Sequence, residues 1–192
     1  LSANPDYFMY GAGIASYASS TEFIACSNQG DLKNFGYAGG ITTYSYDMCK
    51  LIGCFNPGYF YYEGTLTYHS MGGLTKAFSN GNMIGCWSKY IYTGPASSNM
   101  GGLFCNFSNA SIVNHCYWYN TELDLAPYFT QNLQYNTLPI SDYGTFMGIA
   151  PSSEQLADMN AALKEYGVKY EDAFTLKFTG GNSIPDGYIQ QW

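Results

Sequence analysis

The sequence predicts an all-β fold, a β-solenoid read most simply as a right-handed parallel β-helix of about four coils with a small mixed cap. Three observations predict it. A single pattern recurs four times, ending at Cys26, Cys54, Cys86 and Cys116. The composition is rich in strand and turn formers, with 20 Tyr and 22 Gly and only 11% charged residues. Most of the length variation falls in the segment that follows each of those cysteines. Repetition at a period near thirty residues marks a stacked architecture, because one such unit cannot bury its own apolar side.

The copies read Gly13-Ile14 to Ile24-Ala25-Cys26, Gly39-Gly40-Ile41 to Ile52-Gly53-Cys54, Gly72-Gly73-Leu74 to Ile84-Gly85-Cys86, and Gly101-Gly102-Leu103 to Ile112-Val113-Asn114-His115-Cys116. From the second Gly to the Cys is 13, 14, 13 and 14 residues, and successive cysteines are 28, 32 and 30 apart. Each copy holds two strand-like runs, one after the glycines and one before the cysteine. Between them lies turn chemistry such as Ser79-Asn80-Gly81-Asn82. Stacked in parallel, equivalent positions form ladders about 4.8 Å apart. Ile24, Ile52 and Ile84 make one ladder, and the four cysteines an inward-facing, reduced one. In the fourth copy Asn114 takes the isoleucine position, which suggests a bulge. Gly40, Gly73 and Gly102 are expected at close-packed corners or at positive φ.

Residues 1–120 therefore form the repeat array, and residues 121–192 an irregular segment followed by a helix and strand that cap it. Ser152 with Gln155 makes a capping box. Leu156, Met159, Leu163 and Tyr166 follow at helical spacing, and Gly167 suits a stop. Phe174, Leu176 and Phe178 then alternate with polar residues as in a strand. Together these are expected to close the open end of the stack. The start lacks Met and runs straight into the first repeat. It reads as a mature or trimmed fragment of a longer protein.

Met100-Gly101-Gly102-Leu103-Phe104 through Ile112-Val113-Asn114-His115-Cys116-Tyr117 resembles the GLUG motif, and the other three copies match its frame. The glycine that the motif places two after the Leu or Ile is replaced by Ser16, Thr43, Lys76 and Cys105. GLUG repeats occur in large bacterial surface and secreted proteins, often from Bacteroidetes. The resemblance implies a bacterial β-solenoid at the cell surface or secreted, adhesin-like, with no family-wide catalytic residue.

The chemistry points the same way. Net charge is −7 and the seven basic residues are all lysines, scattered singly, so no nucleic-acid partner is expected. No apolar run approaches the ~20 residues that span a bilayer, so no membrane insertion is expected. Cysteine spacings near thirty match no zinc pattern, and no metal or cofactor is expected. His115 precedes Cys116 and should point away from it on a strand, which argues against a catalytic pair. The repeats hold few carboxylates, and Glu22 and Asp47 are not ladder equivalents, so paired-carboxylate glycoside cleavage has little support. No catalytic residue is assigned. The contact residues are sought in the variable segments, at Tyr59, Tyr61, Tyr62, Tyr90, Tyr92 and Trp118, where aromatic rings offer area at low entropic cost. The expected partner is a surface glycan or protein. A glycan-binding module of a polysaccharide-handling system and a polysaccharide-cleaving β-helix enzyme are the alternatives.

Overall fold

A computed structural model describes residues 1–4, 9–65, 69–89, 91–94, 99–107, 111–119, 145–146, 153–170, 176–180 and 185–189. Short strands follow from the frequent corners. The first coil holds β1 (Tyr10–Ala12), β2 (Ala15–Ser19), β3 (Glu22–Ile24) and β4 (Leu32–Lys33). The second holds β5 (Tyr37–Gly39), β6 (Thr42–Tyr46), β7 (Lys50–Ile52), β8 (Phe55–Asn56) and β9 (Tyr59–Tyr61). The third holds β10 (Ser70–Gly72), β11 (Thr75–Phe78), β12 (Asn82–Ile84), β13 (Trp87–Lys89) and β14 (Ile91–Thr93). The fourth holds β15 (Asn99–Gly101), β16 (Phe104–Phe107), β17 (Ile112–Asn114) and β18 (Tyr117–Tyr119).

Within the coils, strands pair in parallel with their equivalents on neighbouring coils. β1, β5, β10 and β15 form one sheet, β2, β6, β11 and β16 a second, and β3, β7, β12 and β17 a third. A fourth sheet runs β8, β13, β18 and then β19 (Thr145–Phe146), and a fifth runs β4, β9 and β14. The parallel solenoid expected from the repeats is the fold observed.

Corners explain both the repeat and its irregular length. A left-handed residue stands directly before each ladder cysteine: Ala25, Gly53, Gly85 and His115, with φ of 51°, 59°, 58° and 50°. The cysteine therefore lies beyond a sharp turn, and the expected strand alternation of His115 against Cys116 does not apply. Ser20 and Asn80 turn the preceding corner alone, whereas the second copy uses both Asp47 and Met48 there. That pair absorbs its extra residue. In the fourth copy Val113 aligns with Met83 and Asn114 with Ile84, so the expected bulge at Asn114 is absent. Its extra residue falls between Phe107 and Ile112, where the registers of β16 and β17 differ by one.

The Gly pairs hold corners by contact and not by positive φ. A Cβ on Gly40 would lie 2.2 Å from the carbonyl oxygen of Gly73, and one on Gly73 1.9 Å from that of Gly102.

Two apolar lobes fill the interior. The main lobe packs Ile41, Leu74 and Leu103 with Leu51, Met83, Val113 and the cysteines. Cys54, Cys86 and Cys116 are buried and Cys26 is half-buried. The thiols cross-link coils through backbone groups. The Cys54 and Cys86 amides donate to Cys86 Sγ and Cys116 Sγ, each at 3.3 Å. Cys54 Sγ donates to Phe23 O at 3.2 Å and Cys86 Sγ to Leu51 O at 3.1 Å. Burial, reinforced by the neighbouring thiols, pushes the Cys86 thiol well up, which holds it protonated. A second lobe contains Leu32, Phe35, Phe60, Tyr62, Met71, Tyr92 and Met100. Trp118 packs against both lobes.

Residues 153–170 form helix α1 (Ser153–Tyr170), which runs through Gly167. A hairpin of β20 (Leu176–Gly180) and β21 (Pro185–Ile189) follows. Ser152 and Phe174 lie outside the described residues. The helix does not close the end of the stack. Met159, Leu163 and Tyr166 pack on the flank, against Ile52, Phe55 and Trp87, with Ile24, Ile84 and Tyr117 at the margins. The isoleucine ladder forms in register and faces outward, so it needs this cover.

Candidate functional site: an exposed tyrosine cleft

Among the described residues, the variable segments run as strands β9 and β14 where aromatic loops are expected from the sequence. β9 alternates, so Tyr59 and Tyr61 look outward while Phe60 and Tyr62 look inward. Tyr62 is 1% exposed and Tyr92 2%. Both stack on buried His69, with ring centroids 4.8 Å and 5.7 Å away, and the Tyr92 hydroxyl lies 2.8 Å from His69 Nε2. Neither Tyr62 nor Tyr92 reaches a ligand on the surface. Trp118 is a packing residue as well, its indole filling the space where a Gly102 Cβ would stand. Tyr90 lies outside the described residues. Tyr59 and Tyr61 remain as a half-exposed stacked pair 6.0 Å apart, with the Lys89 ammonium 5.3 Å from the Tyr59 ring.

A larger aromatic surface lies within the repeated frame. In β2 and β6 the small residues Ala18 and Ser45 point inward, which turns Tyr17, Tyr44 and Tyr46 outward. Parallel register sets Tyr17 beside Tyr44 and, on the adjoining sheet, Tyr10 beside Tyr37. The five rings meet as one surface. Centroids are 5.4 Å apart for Tyr10–Tyr37, 5.7 Å for Tyr10–Tyr44, 6.3 Å for Tyr17–Tyr44 and 5.6 Å for Tyr17–Tyr46. Tyr10, Ser16, Tyr17, Tyr44 and Tyr46 line a cleft of about 360 Å³.

Lys76 supports this surface from β11. Its ammonium lies 4.4 Å from the Tyr37 ring centroid and 4.8 Å from that of Tyr44. Lys76 is 7% exposed, so the cation–π contacts take the place of much of its hydration. Burial lowers its pKa, with Cys105 opposing. Burial pushes the Tyr44 and Tyr46 phenols up, and neighbouring tyrosines add to this. At neutral pH both phenols keep their protons. Period-two alternation in Thr42–Tyr46 was the signal that could have located this cleft from sequence.

A second polar cluster latches α1 to the solenoid. Asp158 Oδ2 accepts from the Tyr117 hydroxyl and lies 2.7 Å from His115 Nδ1. Burial raises the Asp158 pKa, but the hydrogen bonds from Tyr117 and His115 outweigh it, and the net direction is down. A lowered carboxylate contributes stability above its unfolded pKa and loses it as pH falls through the folded value. The pair is partly exposed, so the contribution is modest. We expect α1 to loosen on acidification before the coils do, and Asp158→Asn to loosen it already at neutral pH. Hydrogen exchange of α1 amides against pH checks this. Equal protection in both proteins across the range refutes the latch.

Glu22 is ion-paired with Lys50, and Asp47 accepts from Ser19 Oγ at 3.3 Å. Among the described residues no group of three or more His, Cys, Asp or Glu side chains could hold a metal ion. No described helix is long and apolar enough to cross a membrane. No protein-family model matches the chain, and no curated protein or solved structure matches it.

Proposed function

We propose that this chain is a non-enzymatic, adhesin-like module of a bacterial cell-surface or secreted protein, holding other surface molecules against one flank of a rigid solenoid. The observation that carries the reading is the tyrosine cleft. Monomeric proteins rarely leave large aromatic side chains contiguous and exposed unless something binds there. Tyr17 is 66% exposed and Tyr10 51%, yet their backbones are fixed in the parallel stack. Ordered aromatic rings lose little entropy on binding, which suits adhesion. The GLUG-like repeats agree with a surface setting.

The test is adhesion of the purified protein to immobilised glycans and matrix proteins. A Tyr10→Ala/Tyr17→Ala/Tyr46→Ala variant, shown to be folded by circular dichroism, should lose most binding. A Tyr59→Ala/Tyr61→Ala variant should keep it. Undiminished binding in the first variant would refute the surface assignment. Hydrolysis of a polysaccharide by the wild type would refute the non-enzymatic reading.

A further inference from the structure

Resting on that adhesive reading, we infer that the tyrosine cleft seats a short stretch of uncharged glycan, with one sugar face laid on Tyr17 and sugar hydroxyls bonded to the rim phenols. Its volume of about 360 Å³ lies within the range of small-ligand sites. The walls are pre-ordered, because each ring packs on its neighbours and each strand is paired.

Charge selects the ligand class. None of the five lining residues carries an ionised group, so a charged ligand gains no ion pair there. An incoming cation meets rings already engaged by the Lys76 ammonium, which repels it. An acidic polymer meets a chain of net charge −7. A neutral ligand with a flat apolar face and many hydroxyls meets none of these penalties. The raised pKa values keep the Tyr44 and Tyr46 phenols protonated; the Tyr44 hydroxyl is already hydrogen-bonded with Tyr10, and each phenol oxygen can also accept.

Register limits how much chain the cleft takes. On the third coil the positions after Tyr37 and Tyr44 are Ser70 and Ala77. The aromatic surface therefore spans two coils and ends. It suits a short segment, bound at a chain end or within a longer polymer.

Calorimetric titration of the whole chain tests this with three probes: neutral oligosaccharides of glucose, mannose, galactose or xylose; oligogalacturonate; and choline. At least one neutral oligosaccharide should bind saturably, and the two charged probes should not. Tyr17→Ala should weaken binding about tenfold, while Tyr17→Phe, which keeps the stacking face, should lose less. Raising salt should change affinity little. Tyr17 is largely exposed, so its truncation leaves the coil intact, and circular dichroism verifies that. Failure of every neutral sugar to bind overturns the inference, as does neutral-sugar binding that survives Tyr17→Ala. Tyr17-dependent adhesion to a protein or to oligogalacturonate, without neutral-sugar binding, sinks the ligand class and leaves the adhesive reading standing. Adhesion indifferent to the tyrosine variants sinks the adhesive surface itself.

Discussion

Replacing Gly73 with valine is expected to disrupt the coil stack more than any surface change. A Cβ there would stand 1.9 Å from Gly102 O and 2.2 Å from Ser88 Oγ. The first of these is backbone, fixed by hydrogen bonds such as Gly73 N to Gly101 O at 3.0 Å. Relief requires the third and fourth coils to part at that corner. The cost should far exceed the ~1 kcal/mol of an ordinary glycine propensity effect and reach roughly 3 kcal/mol or more. For a chain of this size, that lowers the melting temperature by on the order of 10 °C. Gly30→Ala is the control, because a Cβ there meets only Asn28 Oδ1, at 3.6 Å. A melting temperature unchanged by Gly73→Val removes the close-packing argument.

Trp87→Ala is the second large effect. Trp87 is fully buried, stacks on Phe55 with centroids 5.4 Å apart at 12°, and joins the apolar cluster that includes Met159, Leu163 and Tyr166. Truncation leaves a cavity between solenoid and helix, at a cost of about 3–5 kcal/mol. The loss should fall mainly on α1 docking, since Trp87 is absent from both interior lobes. Hydrogen exchange in α1 should therefore accelerate far more than exchange in β6 or β11. Uniform acceleration throughout the chain, or none in the helix, contradicts this division.

The coil frame was legible because its spacing is covalent. The corner glycine (Gly13, Gly40, Gly73, Gly102), the left-handed residue before each cysteine and the cysteine itself recur in every copy. The inserts were misleading for a specific reason. Tyr59 to Tyr62 reads as an aromatic loop, yet alternation sends Phe60 and Tyr62 inward to build a second lobe with Leu32 and Met71. The tyrosine cleft is hidden in the sequence for the opposite reason. Tyr17 and Tyr44 sit inside the repeated frame, away from the variable segments, but a single-layer coil gives every strand an outer face. The helix was legible from Leu156, Met159, Leu163 and Tyr166. Its place was not, because an end cap and a flank cover present the same apolar stripe. Only the outward aim of Ile52, with Phe55 and Trp87 beside it, decides between them.

Helix α1 alters how the coils depend on one another. Asp158 touches His115 and Tyr117 of the fourth coil, Leu163 lies against Gly85 of the third, and Tyr166 lies beside Lys50 of the second. The step of eight positions from Asp158 to Tyr166 advances about 12 Å along a helix. Two coil steps are about 10 Å, so the helix runs nearly along the stack. A bare solenoid melts like a row of dominoes, each unit coupled only to the next. A rod fastened across three units at once joins them into a single cooperative block. Among the described residues the first coil meets this cluster through Ile24 and Ala25, which are only partly buried, so the rod ties it less firmly than the other three.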